Sequence, residues 1–183
     1  MQDAPAFTAV LFGLRGCLVQ ATDSGTLPAP GALDSLHRLH SQAVPCIWLD
    51  ELSAAQGKRL SSVLPDWLPG HLVNGCKWPA PNACWQALMS LDSQRLEGCV
   101  LVSGEPRLLQ AGLNAGLWTV GLAACDLGSS QWQAMTRQEQ ERTRGKATLA
   151  LFGLGVHSVI DHLESLDTCL ADIAQRRHKG EKP

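Results

Sequence analysis

The chain has 183 residues, 45% of them hydrophobic and 17% charged, with a formal net charge of −2. Such a composition suits one folded domain with its own core, and it excludes a disordered chain, which combines low hydrophobicity with high charge. A near-neutral balance gives no reason to expect nucleic acid or an anionic membrane as partner.

The opening MQDAPAF has no basic region followed by an apolar run, and no apolar stretch reaches the roughly 18 residues of a membrane-spanning helix. Seven cysteines, an odd number without a C-x-x-C pair, are expected to be reduced thiols of a cytoplasmic protein. Cys76, Cys84 and His71 lack the spacing of a zinc finger.

In chain order, Ala9 to Gly13 reads as a short buried strand. A loop through Leu14, Arg15, Gly16 and Cys17 follows, then the apolar pair Leu18 and Val19. Gln20 to Leu27 reads as a polar link. Pro28 to Gly31 opens a helix whose stripe is Ala32, Leu33, Leu36, Leu39 and Ala43. Val44 to Leu49 is a second apolar strand ending at Asp50 and Glu51, and a polar helix covers Ala54 to Val63.

Pro65, Trp67 and Pro69 mark a loop. Trp78 to Asn82 opens a helix through Met89, with Asn82 as a candidate cap. Cys99 to Val102 is a strand, and Pro106 suits the first turn of a helix running towards Gly116. Leu117 to Leu122 is another strand. Ala123 to Arg144 is polar and is expected to hold one or two exposed helices, with a helix then reaching Gly153. Val156 to Ile160 is the last strand and Ser165 to Arg176 the last helix. The basic run Arg176 to Lys179 is expected to begin a frayed tail over 177–183. Alternating helices and near-continuous apolar strands predict an α/β domain, a mainly parallel sheet covered on both faces.

Five stretches carry a resemblance to a known family, one of them Pro30-Gly31 leading into an amphipathic helix and strand. FTAVLFGLRGCLV, Phe7 to Val19, has the frame hhhhD-x-D-G-T-L-V. CVLVSGEPRLLQAGLNAGLWTVGL, Cys99 to Leu122, has an apolar strand followed by a helix and G-L-N-A-G-x-W-T-V-G. Trp78-Pro79-Ala80-Pro81 has the frame K/R-P-x-P, and Gly155 to Ile160 is similar to G-A-H-x-x-I. Taken in chain order they resemble the haloacid dehalogenase (HAD) superfamily, in its phosphonoacetaldehyde hydrolase (phosphonatase) branch. The resemblance implies a Rossmann-like core spanning 1–183. Only 20–29 remain where relatives insert a cap domain, so no cap is expected.

In such a family an Asp attacks as nucleophile, Mg2+ neutralises the anionic substrate, a Ser or Thr and a Lys or Arg bind the anionic group, and a cap Lys forms a Schiff base. The resemblance puts Gly13 at the nucleophile and Arg15 at the second acidic position. Cys17 stands for the Thr, Trp48 or Leu49 for the second motif, Trp78 for the third-motif base, and Gly104 and Leu108 for the metal-binding acids. No catalytic residue is therefore expected, and a guanidinium at position 15 opposes Mg2+ by Coulomb repulsion.

Several alternatives stand beside this reading. Mg2+ is expected only if a non-standard site uses Asp50, Glu51 or Glu105, and Lys77 is a shifted candidate for the third-motif base. Cys17 as a substitute nucleophile has no adjacent His. His157 reads as part of the last strand. Arg15 with the N–H groups near Gly104 to Arg107 is a candidate anion holder. Trp48 and Trp78 either plug the vacated site or offer an aromatic contact surface. The expectation is a binding or regulatory protein taking an unknown protein partner or a small anionic ligand, with a hydrolase of rebuilt site as the alternative.

Overall fold

The computed structural model describes residues 6–124 and 130–183. Strand β1 (Ala9–Gly13) is followed by a hairpin of β2 (Val19–Thr22) and β3 (Gly25–Pro28). Then come α1 (Ala32–Ser41), β4 (Cys46–Asp50), α2 (Ala54–Ser61), β5 (Gly70–Leu72), α3 (Asn82–Ser90), β6 (Cys99–Ser103), α4 (Pro106–Asn114) and β7 (Trp118–Leu122). The chain ends with α5 (Ser130–Ala134), α6 (Arg137–Gly153), β8 (Ser158–Ile160), a 3-10 turn over Leu163–Ser165, and α7 (Leu166–His178). Six strands form one sheet in the order β5-β4-β1-β6-β7-β8, every pair parallel. This is a Rossmann-like α/β fold.

All five residues of β1, β4, β6 and β7 are buried, as expected for a parallel sheet covered on both faces. Alternation along the strands divides the core in two. Val10, Phe12, Cys46, Trp48, Val100, Val102, Trp118 and Val120 pack with Leu36 and Leu39 of α1 and with Leu166, Leu170 and Ile173 of α7. Ala9, Leu11, Ile47, Leu49 and Leu101 face the other way, against Cys84 and Leu88 of α3 and Leu108 and Ala111 of α4. After β5 the chain crosses over β1 to begin β6. The order of connection thus reverses beside β1, and in open α/β sheets ligands bind at that place, outside the carboxyl ends of the strands.

Several sequence expectations need correction. The link over 20–27 is a paired hairpin rather than an irregular segment. β5 was hidden because it has three residues beginning with a glycine. Asn82 is the first residue of α3 and not its cap; Pro81 holds that position. His157 lies just before β8. The tail is not frayed from 177: α7 continues to His178, Arg176 pairs with Glu181 at 2.8 Å, and Arg177 bonds the carbonyl of Ala6. Residues 125–129, within the polar stretch after β7, lie outside the described residues. No helix among those described is long and apolar enough to cross a membrane.

Candidate functional site

A cavity of about 280 Å3 lies at the carboxyl ends of β1, β4 and β6. Gly13, Leu14, Arg15 and Gly16 from the loop after β1 line it, together with Leu49 and Asp50 from β4. Trp78 precedes α3, and Ser103, Gly104, Glu105 and Leu108 complete the wall. Parallel strands ending side by side bring these distant segments together: Gly13 pairs with Leu49 and Phe12 with Val102.

The central charge is Asp50, 2% exposed at the last position of β4. Its Oδ2 accepts the backbone N–H of Arg15 at 3.1 Å and Nε–H of Arg15 at 3.0 Å. Its Oδ1 accepts Nη2–H of Arg15 at 2.6 Å and the backbone N–H of Glu51 at 2.7 Å. Four donors on one buried carboxylate compensate the loss of its water, and the two-pronged guanidinium contact fixes the orientation of Arg15. The Arg15 side chain is 54% exposed beyond that contact. Its pKa is raised mainly by the hydrogen bonds to Asp50, against desolvation, with Coulomb attraction from Asp50, Glu105 and Glu51 adding to them.

The next carboxylates are also engaged. Glu51 Oε1 accepts the backbone N–H of Trp78 at 2.7 Å, and its Oε2 pairs with Arg107 Nη1 at 3.4 Å. Arg107 Nη2 donates to the carbonyl of Trp78, and Asn114 Nδ2 donates to that of Pro79 at 2.9 Å. The Trp78-Pro79 segment, which contains a cis peptide bond, is thus tied to the end of β4 and to α4. Glu105 caps α4 by accepting the N–H of Arg107 at 3.1 Å, and its own N–H donates to Ser103 Oγ at 3.0 Å. These interactions occupy the N–H groups of Glu105 and Arg107 at the start of α4.

Gly13 has close neighbours. A Cβ built on it would lie 2.8 Å from Ser103 Oγ and 3.4 Å from Leu108 Cδ2. Ser103 is fully buried, so its hydroxyl stands where a side chain from position 13 would begin.

The cavity gathers Gly13, Arg15, Leu49, Asp50, Trp78, Gly104, Glu105 and Leu108 of the residues singled out in the sequence. It does not gather the rest. Trp48 points to the opposite face of the sheet: its indole packs over Gly57 and comes so close to Gly70 that a Cβ there would overlap it. Lys77 is exposed and outside the lining. Cys17 is fully buried, its thiol donating to the carbonyl of Val102 at 3.4 Å. Glu51 stands just outside the lining and acts through Trp78.

Sequence reading missed Ser103 and Arg107. Ser103 had a signal, a polar residue closing an apolar strand immediately before a glycine. Arg107 had none, because its partners are 56 and 29 residues away.

The residues at the ends of β1 and β6 do not suit a divalent cation. Gly13, Gly104 and Leu108 offer no carboxylate, and Arg15 brings a positive charge. Among the described residues no three His, Cys, Asp or Glu side chains gather as a ligand set.

No family model matches the chain. A crystal structure 52% identical in sequence superposes with a TM-score of 0.90, covering 97% of this chain and 100% of that one. The phosphonoacetaldehyde hydrolase of Salmonella enteritidis is 33% identical over 168 residues, which take in 85% of this chain and 62% of that protein. This chain therefore spans less than two thirds of the length of that relative. A HAD family hydrolase from Deinococcus radiodurans shares the fold at a TM-score of 0.68 and 17% identity, over 92% of this chain and 97% of that one. With the strand order and the strand-end cavity, these likenesses mean that the chain belongs to the haloacid dehalogenase superfamily, in its phosphonoacetaldehyde hydrolase-like branch.

Proposed function

We propose that this protein is a non-hydrolytic member of its superfamily, retained to bind a ligand or partner at the strand-end cavity. One observation carries the reading. The end of β1 supplies a glycine and a guanidinium, and the guanidinium is held by Asp50 in a contact of 2.6 Å. Under the resemblance these positions belong to the attacking carboxylate and the second acid. A glycine has no group with which to form an aspartyl intermediate. Arg15 opposes the cation that would neutralise a phosphoryl or phosphonyl group. The space beside Gly13 is taken by Ser103, so the loss extends to the packing around it.

The hairpin of β2 and β3 stands where relatives insert a cap, and we read 1–183 as one capless core domain. The cavity is then free for a ligand or partner to approach. Free thiols at Cys46, Cys76, Cys84, Cys99 and Cys169 favour a reducing compartment, the cytoplasm. Burial pushes the thiols of Cys46 and Cys84 up to about 12, which leaves both protonated and poor as nucleophiles.

The test is a turnover assay with Mg2+ on aryl phosphates, phosphonoacetaldehyde and 2-haloacids. No reaction above the buffer rate is expected. Mg2+-dependent turnover that disappears in Asp50→Asn would overturn the proposal.

A further inference from the structure

Resting on the binding role just proposed, we infer that the cavity takes a small monocarboxylic acid with an apolar body, its carboxylate held by the free edge of Arg15, and that Asp50 is the positioning residue for that arginine. Arg15 spends Nε and one Nη2 proton on Asp50. No hydrogen bond from Nη1 to a described residue is present, so the Nη1/Nη2 edge keeps its donors. With 54% of the side chain exposed, that edge is reachable from outside. A planar fork held in place by a buried carboxylate suits two-pronged recognition of a second carboxylate, and the ordering cost is already met by the fold.

Charge decides between a monoanion and a phosphate dianion. Arg15 and Arg107 face three carboxylates, Asp50, Glu51 and Glu105, which leaves one negative charge in excess. Arg107 is committed to Glu51 and to the carbonyl of Trp78. The start of α4, the usual anion seat in such folds, is capped by Glu105. A dianion would meet twice the repulsion of a monoanion, and among the described residues the cavity lining holds no second cation to offset it. Leu14, Leu49, Trp78 and Leu108 supply apolar wall, and about 280 Å3 is at the small end of ligand sites. A short branched or aromatic acid fits both size and lining.

The experiment is an NMR titration of the 15N-labelled full chain with isobutyrate, benzoate, isobutyramide and inorganic phosphate, followed by calorimetry. Both carboxylates are expected to shift the amides of Gly13, Gly16 and Gly104, with the neutral amide and phosphate at least tenfold weaker. Arg15→Gln should weaken benzoate at least tenfold. Glu105→Gln keeps an oxygen to cap α4 but removes a negative charge, and it should tighten benzoate several-fold, an effect that a purely structural role for Glu105 does not produce.

Phosphate binding as tight as benzoate, equal binding of isobutyramide, or no shift with either acid at tens of millimolar would overturn the inference. None of those results would revive hydrolysis, which the separate turnover assay addresses. The wild-type titration and Glu105→Gln decide the matter even if Arg15→Gln does not fold.

Discussion

At Asp50 the fold puts a fully desolvated carboxylate under the mouth of the cavity and satisfies it with four donors. Removing one partner of such a buried set leaves the others unpaired, which costs far more than the net worth of the pair. Asp50→Ala is therefore expected to lower the unfolding free energy by about 3 kcal/mol or more, read from urea denaturation; a loss within the error of the wild type would contradict the role assigned to it. Gly13→Asp is a second residue-scale test. The new Cβ would meet Ser103 Oγ at 2.8 Å, so the variant is expected to lose about 1–3 kcal/mol. Ser103→Gly in the same chain should recover part of that loss. Neither variant is expected to hydrolyse a phosphate ester, because Arg15 still occupies its place beside the strand end. That a glycine and an arginine stand at the end of β1 was legible from the sequence alone. Their mutual arrangement was not: nothing in the spacing of Arg15 and Asp50, 35 residues apart, announces a two-pronged ion pair.

Elements with a strong local signature were readable, and those defined by tertiary pairing were not. β1, β4, β6 and β7 are continuous apolar runs, and α1 and α4 carry single apolar stripes, so pattern alone found them. β3 alternates exposed and half-buried residues and β5 has three residues; each exists because a neighbour supplies hydrogen bonds. Trp48 shows the same limit. Its strand was clear, but which face its indole took depended on a one-residue register, since Leu49 faces the cavity and Trp48 the opposite core. The start of α1 yields an element-scale prediction. Gly31 has φ near 76°, and a Cβ there would overlap the backbone nitrogen of Glu164 and lie 2.8 Å from the carbonyl carbon of Leu163. Gly31→Ala is expected to cost about 1–3 kcal/mol, seen as a lower denaturation midpoint, whereas Gly145→Ala, with open space around it on α6, should leave the midpoint unchanged or raise it.

His157, between α6 and β8, ties the stability of the fold to pH. His157 Nδ1 accepts the backbone N–H of Thr119 at 3.0 Å, and Arg176 lies over the neighbouring Trp118 ring while donating to the His157 carbonyl. Burial first, and repulsion from Arg176 second, lower the His157 pKa below its ordinary 6.5. The native state thus favours neutral imidazole. Its contribution is fully present above about pH 6.5 and is lost as pH falls through the lowered native value. Urea midpoints compared at pH 7.5 and pH 5 should fall in the wild type and fall less in His157→Gln; equal slopes would remove His157 from the account.

Across the described residues the parallel sheet and its covering helices are kept, Arg15 is paired with Asp50 and Arg107 with Glu51 at the strand ends, and no described residue takes the outer edge of Arg15. The most direct measurement is 31P NMR of phosphonoacetaldehyde incubated with the purified protein and Mg2+. Retention of the phosphonate signal, with no inorganic phosphate beyond the protein-free control, is the predicted result. Phosphate release that scales with protein concentration and is abolished by Asp50→Asn would contradict it.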